Sequence, residues 1–332
     1  MQTRPCRTLE LTELGLGGSQ LGNLYREVDD ATATAVFEAA WEAGIRYLDT
    51  APHYGLGLSE RRLGRLLAGI PRDQYVLSSK VGRLLEPNPD PHPGLDAEGF
   101  AVPATTLRRW DFSRDGVRRS VEESLERLGV DHLDIAYLHD PDDHWEQALA
   151  AGLPALQELR DEGVVTAIGA GMNAAAPLLE LVREHDVDVV MCAGRHTLLE
   201  QAWDLLDAAA AADVAVVVAG VYNSGLLARP RPVADTHYDY AAPPREVLER
   251  AHALADRCEA HGLTLPEAAL AFPLSHPAVR SVVVGASRPA HVHAAVAALD
   301  RVRSDGEGDR LWAELGVAAP TSHASTHAST HV

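Results

Sequence analysis

A chain of 332 residues is long enough for two average domains or one α/β barrel, and either buries a sizeable core. Its 29 Lys and Arg against 48 Asp and Glu give a net charge of −19, and no stretch joins basic residues to stacking aromatics, which argues against nucleic acid as a partner. Three cysteines without a CxxC pair argue against a disulfide framework or zinc ribbon, and no segment approaches the roughly 20 apolar residues of a membrane span.

The opening MQTRPCRTLELTELG lacks the apolar core of a signal peptide, so a cytoplasmic protein is expected; its first 13 residues predict a plug or hairpin. A strand follows at 14–19. The overlapping GLGGSQLG (15–22) resembles a dinucleotide fingerprint, but Gln20 stands at the third glycine position, so it carries little weight. DDATATAVFEAAWEAG reads as a helix with Asp caps ending at Gly44; the strand 46–50 ends at Asp49, and Tyr54 lies in the Pro/Gly turn beyond. A helix ending at Gly69 leads to a strand at 75–81 carrying Lys80. Residues 82–112, with five prolines and no periodicity, predict a long irregular loop.

A helix closing at Gly129 precedes a strand at 133–139 that ends in His139. HDPDDH (139–144) invites a metal, but Pro141 and its aspartates suit a turn and the cap of one helix running to about Gly163, so no metal site is expected. Strands at 164–170, 187–192, 214–220 and 280–285 alternate with further helices, and residues 228–243 form a second irregular loop. The tail PTSHASTHASTHV, with His323, His327 and His331, is low in complexity and buries nothing, so disorder is expected. Eight strands, apolar on both faces and each followed by a helix, predict a (β/α)8 TIM barrel rather than a doubly wound sheet. One domain is expected over 5–316, with 317–332 as tail. Both long loops follow strands, which puts them on the C-terminal face where barrel active sites lie.

Asp49, Lys80 and His139 end three consecutive strands, and Tyr54 follows the first of these. Each has an ordinary reading alone: Asp starts turns, Lys snorkels, and a lone His is satisfied in a core. Together on one rim they suit a particular chemistry. A phenol of pKa near ~10 is lowered by a neighbouring ammonium, and a buried ammonium needs a carboxylate to stay charged. An imidazole can orient the same oxygen. The set suits hydride transfer between a carbinol and nicotinamide.

DTAPHYGLGLSERRLGRLL, followed by VLSSKVGR and YLHD, resembles the aldo-keto reductases, and the likeness runs from LGLGG to GASRPAHVHAAVAAL. It implies a catalytic tetrad of Asp49, Tyr54, Lys80 and His139. RWDFSRDGVRRSVEESLERLGVDHLDIAYLHDPD, IGAGMN and NSGLLA are similar to the branch containing L-fucose (D-threo-aldose) dehydrogenases, with L-galactose and pyridoxal dehydrogenases as relatives. That branch implies NAD(P)-dependent oxidation of an aldose of the L-fucose, L-galactose or D-arabinose type at C1 to its lactone. A small-molecule sugar would then be the partner, with His53, Trp110 and Trp145 as its walls.

The resemblance also implies cofactor contacts at Asn173, Tyr222, Ser224, Gly225 and Leu227, and at Gly285, Ala286, Ser287, Arg288 and His291 before and within the last helix. Departures from the family pattern fall here. Gly171 and Met172 stand where a Ser-Asn pair is usual, Cys192 where a Gln is common, and Ala219 where a Tyr often stacks, with Tyr222 as its stand-in. Gly285 and His291 replace frequent cations, leaving Arg288 as the one fixed cation expected, so NAD is the expected cofactor, with NADP admitted. Three alternatives stay open: a different carbonyl or alcohol such as pyridoxal, Schiff-base chemistry at Lys80, and a non-catalytic cofactor-binding module resembling potassium-channel β subunits.

Overall fold

The computed structural model describes residues 1–90, 94–239, 241–304 and 308–319. The chain opens with an antiparallel hairpin of β1 (Thr3–Cys6) and β2 (Leu9–Thr12). Barrel strands follow as β3 (Leu14–Gly17), β4 (Tyr47–Asp49) and β5 (Val76–Val81). An antiparallel ribbon, β6 (Arg83–Pro87) with β7 (Thr106–Trp110), stands outside the barrel. The remaining barrel strands are β8 (Leu133–His139), β9 (Val165–Met172), β10 (Val189–Ala193), β11 (Ala215–Ala219) and β12 (Val279–Gly285). Each barrel strand pairs in parallel with the next, and β12 returns to β3. This closed (β/α)8 barrel is what alternating strand and helix signals require, and its eight strands fall within two residues of their predicted bounds.

Local chemistry sets the helix ends. Asp29 caps the helix Asp30–Glu42 by accepting the Thr32 N–H at 2.6 Å, and Ser113 caps Arg114–Leu128 through the Gly116 N–H at 3.1 Å. Gly129 closes the latter helix in the left-handed conformation.

The structure departs from expectation in three places. The 82–112 insertion is not irregular throughout, because its two ends pair as β6 and β7; short runs beside prolines hid the alternation. The helix expected after His139 runs without a gap from Trp145 to Asp161 but is irregular. A 3-10 turn at Asp142–His144, a short helix at Trp145–Gln147 and a π turn at Ala148–Gly152 precede Leu153–Asp161, because Pro154 cannot continue the hydrogen-bond ladder backwards. Two helices were not expected: Leu265–Ala271, opened by a Thr264/Glu267 capping box, and Gly308–Leu315, which buries Leu311, Trp312 and Leu315. His323, His327 and His331 lie outside the described residues. Among the described residues, no helix is long and apolar enough to cross a membrane.

Strand side chains alternate, so every second residue faces the barrel interior. Tyr47, Ile135, Tyr137, Ala167, Val189, Met191, Val217 and Val283 form one inner cluster, with Cys6 and Leu11 of the hairpin packed into it. The hairpin therefore stops one end of the barrel. The opposite residues, Cys192 among them, pack outward against the helices. Cys192 thus faces away from any ligand at the barrel mouth. Asp49, Lys80 and His139 fall on the inner files, two residues beyond Tyr47, Ser78 and Tyr137 respectively.

Candidate active site

Beyond Asp49 the chain turns back on itself. The Gly57 N–H donates to the Pro52 carbonyl at 2.8 Å, and the Ser59 N–H to the Tyr54 carbonyl at 3.2 Å. Gly55 sits at φ +62°, and a Cβ there would lie 2.3 Å from the Gly22 carbonyl oxygen. Only glycine satisfies both the dihedral and the contact. This backbone-to-backbone contact pins Tyr54 with its ring centroid 4.7 Å from Lys80 Nζ.

Lys80 and Asp49 are each 2% exposed. The ammonium donates to Asp49 Oδ1 at 2.9 Å, to Oδ2 at 2.7 Å and to the Thr50 carbonyl at 3.0 Å. Burial works to strip the Lys80 proton, but the Asp49 carboxylate and then Tyr54 outweigh it and hold its pKa above the ordinary value. Tyr54 departs from expectation. Burial pushes its phenol up to about 12, and the pull of Lys80 only partly offsets this because Asp49 opposes it. The phenol holds its proton instead of resting as phenolate.

His139 stands edge-on to Tyr54 at 5.9 Å between ring centroids, and His53 lies 5.5 Å from His139. Burial, followed by the charges of Arg83 and Lys80, drives the His139 pKa well below its usual value. Burial, Arg83 and Arg108 take His53 down to about 2. Both imidazoles are therefore neutral, and the buried Nδ1 of each has no hydrogen-bond partner. A neutral imidazole offers one N–H to an incoming oxygen.

No role at the site was expected of four residues, Arg83, Asp140, Glu98 and Arg108. Arg83 lies over the Trp110 ring at 4.2 Å and donates to Asp140 at 2.6 Å; Asp140 in turn stands 3.6 Å from His139 Nε2. Glu98 lies 3.6 Å from His53 Nδ1 and 3.4 Å from Arg108. KVGR continues a strand, Asp140 reads as a turn residue and Glu98 as loop polarity, so only the fold brings them together. Trp110 and His53 reach this wall. Trp145 instead donates its indole N–H to Glu180 at 3.2 Å and does not join these ring contacts.

A second rim region carries the residues expected to hold a cofactor. After β11 the chain turns through Asn223, Ser224 and Gly225, all at positive φ, and the Leu227 N–H returns to the Tyr222 carbonyl at 3.0 Å. Asn223, absent from the expected set, has a buried Oδ1 with no partner. Asn173 follows the end of β9 on the same rim. At the head of the helix Pro289–Ser304, Arg288 donates to His291 at 3.0 Å. Arg26, from the loop after β3, donates to the Ser287 hydroxyl. Arg288 is therefore not the one cation here. Gly285 has Ser19 and Gln20 across from it, and a Cβ would reach within 3.2 Å of the Gln20 side chain. Two guanidiniums, a hydroxyl and helix N-terminal amides form a donor set for phosphate, and the orphan Asn223 oxygen suits an amide donor. The chemistry fits a nicotinamide dinucleotide.

Residues 13–312 match the model of the aldo/keto reductase family. The chain belongs to this family. It is 50% identical over 317 residues to a D-threo-aldose 1-dehydrogenase of a Pseudomonas species, covering 93% of this chain and 94% of that one. It is 38% identical over 305 residues to a pyridoxal 4-dehydrogenase of Microbacterium luteolum, covering 86% and 88%. The holo form of an aldo-keto reductase from Bacillus halodurans shares the fold at a TM-score of 0.76 and 26% identity, over 97% of this chain and 99% of that one. The protein is an oxidoreductase of the nicotinamide-dependent type.

Proposed function

We propose that this enzyme oxidises a small aldose of the L-fucose, L-galactose or D-arabinose type at C1, giving the lactone. The observation that carries the reading is the Lys80 ammonium, held by both Asp49 oxygens beside the Tyr54 ring. Tyr54, as phenolate, takes the C1 hydroxyl proton. Lys80 stabilises that phenolate, Asp49 keeps Lys80 charged, and neutral His139 donates its N–H to the C1 oxygen and fixes its direction. A bound nicotinamide supplies the acceptor for the C1 hydride, which leaves with its electron pair as the C1–O double bond forms. Asn173, Tyr222 to Gly225 and Leu227 would hold its nicotinamide end, and Gly285 to Arg288, His291 and Arg26 its phosphates. His53 and Trp110 would give a sugar flat faces, and Arg83 and Glu98 would meet its hydroxyls. Three buried free cysteines suit a reducing, cytoplasmic setting.

The test is Tyr54→Phe, which removes one oxygen. Turnover is expected to vanish while cofactor binding, followed by fluorescence quenching, survives. Near-normal kcat in this variant would remove the mechanism. Schiff-base chemistry has no support, because a lysine with a raised pKa and three oxygen partners is not a free amine. The 38% identity to a pyridoxal dehydrogenase favours a second reading, oxidation of pyridoxal. One panel separates the two: L-fucose, L-galactose and D-arabinose, their epimers at C2 and C3, and pyridoxal. Strong discrimination among epimers is expected; equal rates across them would sink the sugar assignment.

NAD is assigned as the preferred cofactor, because Arg26 and Arg288 are engaged with Ser287 and His291 and the chain carries a net charge of −19. The same two cations admit NADP. A kcat/KM for NADP about tenfold above that for NAD would reverse the assignment.

A further inference from the structure

Beneath the Asp49–Lys80 pair lies a layer of hydroxyls. On β4, β5 and β8, the residue two positions before each charged or imidazole side chain is Tyr47, Ser78 and Tyr137. All three are fully buried. Ser78 Oγ is 2.7 Å from Asp49 Oδ1, Tyr47 Oη is 3.1 Å from Ser78 Oγ, and Tyr137 Oη is 3.2 Å from Tyr47 Oη.

Counting protons fixes the direction of this chain. An ionised carboxylate only accepts, so Ser78 spends its single proton on Asp49; its other acceptor, the Leu48 carbonyl, is 3.5 Å away. Ser78 then accepts from Tyr47, and Tyr47, its proton spent, accepts from Tyr137. The three O–H dipoles thus align head to tail, with their positive ends toward Asp49. The barrel makes room for them deliberately: a Cβ on Gly15 would lie 2.7 Å from the Tyr47 ring. Burial, and next the Asp49 charge, holds the Tyr47 phenol well above its ordinary pKa, so the chain keeps its protons.

We infer that Ser78, Tyr47 and Tyr137 are positioning residues: a one-way hydroxyl chain that holds Asp49 from below and tunes, through Lys80, the proton affinity of Tyr54. The inference rests on the reading of Tyr54 as the group that takes the substrate proton. Aligned dipoles spread the Asp49 charge toward the barrel interior, which leaves more of the Lys80 field for Tyr54. Other groups facing Tyr54 are His53 from its own loop, His139 and Asp140 at the end of β8, and Arg83 from the ribbon. None of them touches the chain.

Removing the chain makes the site more negative at Tyr54. The phenolate becomes harder to form, and the pH above which sugar oxidation is fast moves upward. The experiment is the pH profile of oxidative kcat/KM for wild type, Ser78→Ala, Tyr47→Phe and Tyr137→Phe, with melting temperatures recorded alongside. Ser78→Ala should move the alkaline-rising limb up by about half a pH unit or more, with smaller shifts for Tyr47→Phe and least for Tyr137→Phe. Tyr47→Phe removes one atom and no packing, so it carries the test if Ser78→Ala fails to fold. Limbs unmoved in the variants, or rates lowered equally at every pH, would overturn the inference while leaving Tyr54 in its role. A wild-type profile without a limb that Lys80→Met displaces would overturn the reading of Tyr54 itself, and the inference with it.

Discussion

Asp49 does two opposed things at once. It keeps Lys80 protonated, and it takes back part of what that proton does for Tyr54. A phenol near 12 leaves few phenolates at neutral pH, so oxidation should quicken as pH rises into the alkaline range, whereas reduction, which needs the phenol proton, should not. In Lys80→Met, oxidative kcat/KM at neutral pH should fall by about 100-fold or more, with the residual activity shifted to higher pH; stopped-flow absorbance of the reduced cofactor reads both. The buried imidazoles make a separate prediction about stability. His53, His139 and His196 have folded pKa values below the unfolded one, so the unfolded chain binds more protons once pH drops under about 6.5. Their contribution is fully present above that pH and is lost below it, at up to about 1.4 kcal/mol per pH unit for each histidine. Urea denaturation from pH 7.5 to 5 should show that slope, and a flat profile would contradict the neutral assignment. That Asp49, Tyr54, Lys80 and His139 meet was legible because each interrupts or follows an apolar strand. Roles for Arg83, Asp140, Asn223 and Arg26 were not: the first three stand inside VLSSKVGR, YLHD and NSGLLA without interrupting an apolar run, and Arg26 reads as ordinary loop polarity.

Loop 21–28 is held from one side by residues 99–101 and from the other by a single guanidinium. Arg62, 6% exposed, donates to the Leu21 carbonyl at 2.7 Å, Asn23 Oδ1 at 2.8 Å, the Val28 carbonyl at 2.6 Å and Asp30 at 2.7 Å. The loop it pins carries Arg26 to the head of the last barrel helix and Gly22 to its contact with Gly55. Arg62→Met takes the guanidinium from the buried Leu21 and Val28 carbonyls, while Asn23 Oδ1 keeps the Val28 N–H at 3.1 Å, and should cost about 2 kcal/mol in urea denaturation. It should also raise the KM for cofactor more than it lowers kcat, because the phosphate end loosens first. An unchanged cofactor KM would detach Arg26 from that role. The periodicity of strands and helices was readable for the same reason that such loops were not. A strand buried on both faces announces itself by composition, whereas a loop pinned from a helix 40 residues on depends on a partner that no local pattern names. The β6–β7 ribbon escaped notice because its pairing spans an insertion interrupted by prolines.

At the scale of the whole molecule, the barrel is closed twice over, by β12 against β3 and by the N-terminal hairpin beneath. Arg4 clasps the two closures, donating to Glu13 at 2.8 Å, the Leu274 carbonyl at 3.1 Å and the Val279 carbonyl at 2.8 Å. Arg4→Ala should lower stability by about 2 kcal/mol and show mainly as faster unfolding, since a contact between the two ends of the chain forms late. Unfolding rates equal to wild type would contradict that order. The closure has a consequence for how the molecule is made. Leu14 pairs with Val282 and Gly17 with Gly285, so the first barrel strand to leave a ribosome waits for the last before its second edge is covered. During that interval an apolar strand stands with open hydrogen-bonding groups, a template for pairing with a neighbouring nascent chain. A chain ending before residue 282 is therefore expected to aggregate instead of folding to a smaller barrel, which sedimentation of such truncations would show.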